Sequence, residues 1–342
     1  MKEGGVARWF SDRTGFRRVT EWLGTRRVSR HGFVFYVGSL TLFLFLVQVV
    51  TGILLVLYYQ PDPATAFSSL QRITGGDIPY GNLVRNVHAW GSDLFVVVMM
   101  AHVFMVLVRR SFKPPHELTW MTGLVSLVLA IGLAFTGAIL PWNQSAYTNA
   151  WVGSGLARNV PFVGESLMRF MRGGHDVGAG TLGHAFGFHV AALPAAITLV
   201  VATHLFFVSR KPAAPADPNV PTMPLYPDFF VRQGVAFTGL TVVLMTLATF
   251  FDRPLGVVAD PRGPPIGTKP PWYFLPFHQI IRAAPRELLG VDGARFITSA
   301  VCLLGIVALA LPFIDPRGSK ITAWVAWGLL LVLLLLSASA LA

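Results

Sequence analysis

The sequence predicts an all-α integral membrane protein, in which a four-helix bundle is followed by three further transmembrane helices. Of the 342 residues, 54% are hydrophobic and only 13% are charged, whereas soluble domains carry about 25% charged residues. Apolar runs close to the ~20 residues that a helix needs to cross a bilayer recur along the chain. The seven predicted spans cover residues 33–59, 83–108, 119–140, 184–208, 232–251, 295–314 and 321–341.

The N-terminal segment is basic and has no continuous apolar stretch, so it does not have the pattern of a signal peptide. Residues 1–30 hold eight lysines and arginines with scattered aromatic side chains. This composition predicts an amphipathic helix that lies on the cytoplasmic (n-side) membrane surface. A disordered basic tail is the alternative.

Two segments between the spans, residues 141–183 and 252–293, are too polar to cross the membrane. Loops of this length usually fold on the surface and carry function. Residues 211–228 are rich in proline at their start, which indicates a linker. We therefore predict a four-helix domain at 31–210 and a three-helix domain at 229–342.

Charge and cysteine content narrow the class of protein. The net charge is +11, but most of the 27 lysines and arginines lie in the N-terminal segment and after the second, fourth and sixth spans. The positive-inside rule explains this pattern without nucleic-acid binding. It places the N-terminus in the cytoplasm, and both long loops on the opposite (p) side of a bacterial-type cytoplasmic membrane. The single Cys302 excludes a disulfide framework, a cysteine-ligated cluster and C-x-x-C-H haem attachment.

Four histidines lie in the second and fourth predicted spans: His88 and His102 in one, His189 and His204 in the other. Four helical turns take ~14.4 residues, so both members of each pair face nearly the same way. Two such helices side by side predict two stacked bis-histidine haems, a p-side pair (His88 with His189) and an n-side pair (His102 with His204). The competing His184 lies too far from His204, about 30 Å, to match the second span.

Two pairs of glycines repeat the histidine spacing. Gly38 and Gly52 lie in the first span, and Gly123 and Gly137 lie in the third. Glycine lets a backbone approach a flat ligand closely. By depth, Gly38 and Gly123 are expected to flank the n-side haem, and Gly52 and Gly137 the p-side haem.

Arginines near the histidines are candidate partners for haem propionates. Arg85 lies one helical turn before His88 and on the same face. Arg109 and Arg110 lie about two turns beyond His102. Anchoring of the membrane end is an equally good explanation for the last two.

Several segments together resemble cytochrome b of the quinol–cytochrome c (bc) complexes and of the related photosynthetic (bf) complexes. The resemblance covers nearly all of the chain, and its motifs include FLVQVVTGILL, LVRNVHAWGSDLF, FKPPHELTWMTG, GAILPWNQ and GTLGHAFGFHVAALP. The histidine spacing in the fourth span and the single span after the sixth are more similar to the bf type, here with both halves fused.

The second long loop contains TKPPWYFLPFHQIIR, which resembles the family's quinol-site motif P-E-W-Y. The matching residues are Pro270, Pro271, Trp272 and Tyr273. The resemblance implies that this loop and the helices near 142–151 shape a p-side quinol pocket, with Tyr273 meeting the quinol or the partner protein. A Trp–Tyr pair that only anchors the membrane interface is the alternative.

The sequence departs from the family pattern in three places. Pro271 replaces the motif glutamate, a proposed proton acceptor, and this variant resembles members that use low-potential quinones such as menaquinone. We suggest that His278, two helical turns further on, replaces the glutamate as proton acceptor. The alternative is that His278 is a surface histidine at a helix end without this role. Val37 replaces the bf-type haem-linking cysteine, so no covalent haem is expected. Met105 replaces a common arginine, which leaves Arg109, Arg110 and Arg210 as candidate n-side propionate partners.

The resemblance implies the membrane core of a quinol-oxidising enzyme, which works with a Rieske iron–sulfur protein and a c-type cytochrome and is a homodimer. Quinol oxidation on the p side and quinone reduction on the n side would translocate protons across the lipid membrane. A di-haem, quinone-reactive anchor of another respiratory oxidoreductase, without electron bifurcation, is the alternative. A transporter with proton-relaying histidines is a third possibility.

Overall fold

The structure is a computed structural model that describes residues 5–15, 21, 24–25, 27–29, 36–210, 222–262 and 269–341. We number its helices α1 (Gly5–Thr14), α2 (Val37–Val56), α3 (Ala66–Thr74), α4 (Gly81–Arg109), α5 (Glu117–Ile139), α6 (Gln144–Ala157), α7 (Gly164–Arg172), α8 (Ala179–Gly187), α9 (Leu193–Arg210), α10 (Phe230–Phe250), α11 (Leu275–Ala283), α12 (Gly293–Leu309), α13 (Leu311–Ile314) and α14 (Lys320–Leu341). The strands are β1 (Arg27–Ser29), β2 (Thr222–Pro224), β3 (Glu287–Leu288) and β4 (Val291–Asp292).

Six helical segments in the described part of the chain are long and apolar enough to cross a membrane. They are α2, α4, α5, the continuous helix Ala179–Arg210, the segment Leu225–Phe250 and α14. The sixth predicted span forms the shorter α12, which has 17 residues and ends three residues before Pro312. Proline removes a backbone donor, so α12 does not run on to residue 314 as expected. The all-α, multi-pass membrane architecture predicted from the sequence is confirmed.

The first four membrane helices form a bundle in which α2 packs on α4, α4 on α5, and α5 on α9. The later helices pack against the outside of this bundle, α10 on α2 and α4, and α14 on α4. A hydrogen bond from Trp120 Nε1 to the carbonyl of Ala308, 2.7 Å long, joins α5 to α12. The two predicted halves therefore share extensive contacts.

A buried apolar cluster fills the middle of the bundle. Its members come from five helices and are Leu44, Phe45, Phe95, Met99, Ala130, Ile197 and Leu244. In α4 the cluster lies between His88 and His102, and in α9 it lies between His189 and His204. It therefore separates the two depths at which the histidines lie.

The two long loops meet at one end of the bundle. The first loop forms α6 and α7, and the side chain of Asn143, which immediately precedes α6, accepts a hydrogen bond from the amide of Ala146. The backbone amide of Gln144 donates to Val257, and the amide of Asp260 donates to the side chain of Gln144 at 2.7 Å. The loops thus form one hydrogen-bonded unit beside the bundle end that carries His88.

The N-terminal segment differs from the single surface helix predicted for residues 1–30. The helix α1 ends at Gly15, whose φ of +66° favours glycine and terminates helices. Arg27–Ser29 form β1, which pairs antiparallel with β2 from the predicted linker. The prediction of a continuous helix was therefore wrong at β1. The end of the predicted linker is held in place by the pairing of β2 with β1. The rest of that prediction includes residues outside the described ones.

Candidate functional site

Two of the four intramembrane histidines lie side by side near the loop end of the bundle. The rings of His88 and His189 have centroids 6.1 Å apart and planes at 83°. At the other depth, His102 and His204 are close enough to interact electrostatically. His184 instead lies exposed, with its Nδ1 2.7 Å from the carbonyl of Phe170. The structure therefore brings the four selected histidines together as two pairs.

A local change of helix type reconciles the unequal histidine spacings. Residues Phe188–Ala192, which include His189, form a π-helical turn between α8 and α9. A π turn holds one more residue than an α turn, and such turns are frequent at functional sites. The extra residue between His189 and His204 is thereby absorbed, so the pair keeps the vertical separation of His88 and His102.

Each of the four glycines packs against one histidine. A Cβ atom built on Gly137 would lie 2.6 Å from Cε1 of His189, and one on Gly52 would lie 3.3 Å from Cε1 of His88. The corresponding distances are 3.0 Å from Gly38 to His102 and 3.4 Å from Gly123 to His204. Gly52 and Gly137 thus lie at the level of one histidine pair, and Gly38 and Gly123 at the level of the other.

Three threonines, which the sequence analysis did not identify, contact the histidines through Nδ1. The Oγ1 to Nδ1 distances are 2.8 Å for Thr51 and His88, 3.1 Å for Thr122 and His204, and 3.3 Å for Thr136 and His189. Each threonine immediately precedes one of the glycines, so a Thr-Gly pair repeated at the histidine spacing was the available signal. The fourth glycine follows Val37, which has no hydroxyl group.

The donor set fits a haem iron. Partners at Nδ1 of His88, His189 and His204 fix the orientation of these three rings and leave their Nε2 atoms available as axial ligands. The glycines leave room beside the rings that a side chain would fill. Among the described residues no three His, Cys, Asp or Glu side chains cluster to hold a bare metal ion. Paired histidines therefore suit a bis-histidine haem better than a protein-only metal cage.

The structure gives the candidate propionate partners other contacts. Arg85 donates through Nη1 to the backbone carbonyl of Arg253. Arg110 donates through Nη1 to the carbonyl of Gly318 at 3.0 Å, and the guanidinium of Arg210 lies 5.1 Å from the ring of Phe206. Arg109 ends α4 and also has an interaction partner. Their role toward propionates stays a prediction.

The P-P-W-Y segment packs on two membrane helices. Pro270 is buried, and Trp272–Phe274 form a 3₁₀ turn that leads into α11. The ring of Phe274 contacts Phe135 of α5, with centroids 5.8 Å apart. Trp272 Nε1 donates to Oδ1 of Asp93 in α4 at 2.9 Å. The loop therefore closes over the outer face of α4 and α5, close to the His88–His189 pair.

Two titratable side chains of this segment have shifted pKa values. Burial, together with the negative charge of Asp93, raises the pKa of Tyr273 above its usual range, so its hydroxyl stays protonated and able to donate. Burial and the charge of Arg282 lower the pKa of His278. Among the described residues, the structure records no hydrogen bond from His278 to Trp272 or Tyr273.

A polar cluster, which the sequence analysis also missed, surrounds Asp93. Its other carboxylate oxygen, Oδ2, forms an ion pair with Arg253, whose guanidinium lies 3.7 Å from the centroid of the Trp90 ring. Asn86 donates to Asp252 at 2.7 Å and to the carbonyl of Ala248 at 3.2 Å. An acidic residue inside a predicted span was the signal, because intramembrane charges are costly and usually functional.

The fold and the site define a class: multi-pass helical membrane proteins with paired histidines at two depths of a four-helix bundle. The family model "Cytochrome b/b6/petB" matches residues 25–212, and "Cytochrome b(C-terminal)/b6/petD" matches residues 258–341. The chain therefore belongs to the cytochrome b family.

Individual relatives agree with this assignment. The chain is 34% identical over 329 residues to the "Cytochrome bc complex cytochrome b subunit" of Chlorobaculum thiosulfatiphilum, covering 93% of this chain and 76% of that protein. It is 30% identical to "Cytochrome b" of Rhodobacter capsulatus, with 89% and 74% coverage, and 35% identical to "Cytochrome b6" of Crocosphaera subtropica, with 62% and 95% coverage. A solved structure titled "Hyperthermophilic respiratory Complex III" has the same fold, with a TM-score of 0.84, 24% identity and 98% and 91% coverage.

Proposed function

We propose that this chain is the di-haem cytochrome b subunit of a quinol:cytochrome c oxidoreductase of the bc type. The observation that carries the proposal is the arrangement of four intramembrane histidines in two pairs, each histidine packed on a glycine. His88 with His189 would hold the p-side haem, and His102 with His204 the n-side haem. When bound, the two haems supply one-electron transfer across the membrane.

The protein's own side chains orient the histidine rings, line the quinol pocket and exclude water from the bundle. Thr51, Thr122 and Thr136 fix three imidazole rings through Nδ1, and the apolar cluster between the histidine levels keeps water out of the bundle. Trp272 and Tyr273 line the p-side quinol pocket, where the protonated Tyr273 hydroxyl can donate a hydrogen bond to a quinol oxygen. Arg85, Arg109, Arg110 and Arg210 remain candidate propionate partners.

The proposal extends to the assembly and its membrane. Quinol would be oxidised at the loop end and quinone reduced at the opposite end, with proton translocation across a bacterial cytoplasmic membrane. A Rieske iron–sulfur protein and a c-type cytochrome would accept electrons, and the complex would be a homodimer with its N-terminus in the cytoplasm. Pro271 in the quinol motif supports a low-potential quinone such as menaquinone.

Pro271 also favours a second candidate, a di-haem quinone-reactive anchor that does not bifurcate electrons. A purified complex separates the two functions. A b-type band in the reduced-minus-oxidised spectrum, two haems per chain and quinol-dependent cytochrome c reduction that requires an iron–sulfur subunit support the first. Quinol-dependent haem reduction with no requirement for that subunit supports the anchor, and the absence of any b-type band refutes both.

A further inference from the structure

The P-P-W-Y segment lacks a carboxylate of its own, but a carboxylate from a membrane helix lies against it. Asp93 of α4 accepts the hydrogen bond from Trp272 Nε1 at 2.9 Å. We propose that Asp93 receives a proton from the quinol in the p-side pocket, in place of the carboxylate that Pro271 removes from the loop. This proposal rests on the proposed function.

Three observations place Asp93 beside the loop that forms the proposed quinol pocket. Its side chain is 25% exposed, so it is sheltered but not fully enclosed by the protein. The negative charge of Asp93 acts on the neighbouring Tyr273, whose pKa it helps to raise after burial. The Phe135–Phe274 contact covers the same loop on the α5 side. A hydrogen-bond donor and a proton acceptor therefore lie next to each other beneath the loop.

Arg253 holds the carboxylate in position. It pairs with Oδ2 of Asp93 and stacks on Trp90, while Arg85 binds its backbone carbonyl. Arg253 Nε is buried and has no hydrogen-bond partner among the described residues. When Asp93 is protonated the ion pair is lost, but the stacking on Trp90 keeps Arg253 beside the site, ready to pair again after the proton leaves.

The proton transfer balances with the proposed reaction. The O–H bond of one quinol hydroxyl breaks, and a new O–H bond forms on the Asp93 carboxylate. The two electrons would be taken up by the two one-electron acceptors of the proposed function, which are the iron–sulfur partner and a bound haem. The other quinol proton leaves to water on the p side. Asp93 then releases its proton to the same water through its exposed edge and is again a carboxylate.

Asp93→Asn in the purified complex tests the proposal, because the asparagine carbonyl can still accept from Trp272 Nε1, while the side chain can neither take up the proton nor form the ion pair with Arg253. We expect the kcat of quinol oxidation to fall about 100-fold with KM within about twofold of wild type, the size typical of a lost proton acceptor. Asp93→Glu, which restores a carboxylate, should recover at least about a tenth of the wild-type kcat.

Asp252→Asn is the matched control. Asp252 lies in the same cluster and accepts from Asn82 and Asn86, so its loss should leave kcat within about twofold. The pH–rate profile gives a second readout, in which Asp93→Asn should differ from the wild type. The charged and titratable groups that face Asp93 are Arg253 and Tyr273, with Arg85 and Asp252 behind them, and all are unchanged in this variant.

Wild-type kcat with an unaltered pH profile in Asp93→Asn would overturn the proposal. Equal losses in Asp93→Asn and Asp252→Asn, or no recovery in Asp93→Glu, would also overturn it and assign Asp93 a purely structural role. Failure of the proposed function looks different, because the wild-type complex itself would then lack the b-type band or quinol oxidation.

Discussion

Replacing Gly137 with alanine should displace His189 and weaken binding of the haem that it would hold. The new Cβ would lie 2.6 Å from Cε1 of His189, whereas ordinary contacts begin at 3.4 Å. The ring would have to move by about 0.8 Å in a close-packed interior. Its Nδ1 lies 3.0 Å from the carbonyl of Leu133 and 3.3 Å from Thr136 Oγ1, so this movement strains both contacts.

The size of the effect follows from the cost of overpacking. Inserting a methyl group into a well-packed core costs about 1–3 kcal/mol, and about 1.4 kcal/mol corresponds to a tenfold change in affinity. We therefore expect Gly137→Ala to weaken haem binding at the His88–His189 site by roughly 5- to 150-fold. The purified variant should retain about one haem b per chain, measured by pyridine haemochrome absorbance against protein.

Gly123→Ala is the matched control in the same helix. Its Cβ would lie 3.4 Å from Cε1 of His204, which is an ordinary contact. Both substitutions gain the same helix propensity, about 1 kcal/mol, so their difference isolates the clash at Gly137. Two haems per chain in Gly137→Ala, or equal loss in both variants, would refute the reasoning.

Three further predictions test the surroundings of the site. Thr51→Val removes the hydroxyl at His88 Nδ1 and so lowers the basicity of that ligand. The midpoint potential of the haem that it would hold should rise by about 20–60 mV in a redox titration. Thr198→Val, which loses only a hydrogen bond within its own helix, should leave the potential unchanged. If His278 is the proton acceptor, its lowered pKa keeps it neutral at pH 7, and the rate should fall only when the pH drops below the usual titration range of histidine. Asn143→Ala removes a helix cap and should cost about 1–2 kcal/mol in thermal unfolding.

Each of these has a contradicting result. An unshifted potential in Thr51→Val would mean that the hydroxyl does not act on the ligand. An unaltered pH–rate profile in His278→Phe would exclude His278 as the acceptor. A wild-type melting temperature in Asn143→Ala would show that the bonds between the two long loops do not depend on this cap.

The membrane fold was predictable because its signal is local. Crossing a bilayer demands about 20 apolar residues that satisfy their own backbone hydrogen bonds, and composition alone reveals such runs. The exception at α12 also has a local cause, since Pro312 ends the run early. By contrast, the pairing of Arg27–Ser29 with Thr222–Pro224 joins segments nearly 200 residues apart, and no local sequence pattern predicts it.

The histidines were predictable for a similar reason, because their spacing is periodic on a helix. The sequence determined that four histidines share two helix faces and that four glycines repeat the same interval. The reason for unequal spacings of 14 and 15 residues was visible only in the structure, where the π turn at Phe188–Ala192 absorbs one residue. Helix type at a single turn depends on packing against neighbouring helices, which the sequence does not display.

The proposed proton acceptor beside the P-P-W-Y segment depended most on tertiary structure. The sequence by itself showed that the P-P-W-Y segment has no carboxylate where the family resemblance implies one, and it suggested His278 because that residue is near in the chain. Only the tertiary structure placed Asp93, 179 residues before Trp272, against the indole. A side chain on one helix meets a loop from the other half of the chain because both pack against the same bundle, and that meeting depends on three-dimensional packing rather than on any spacing along the chain.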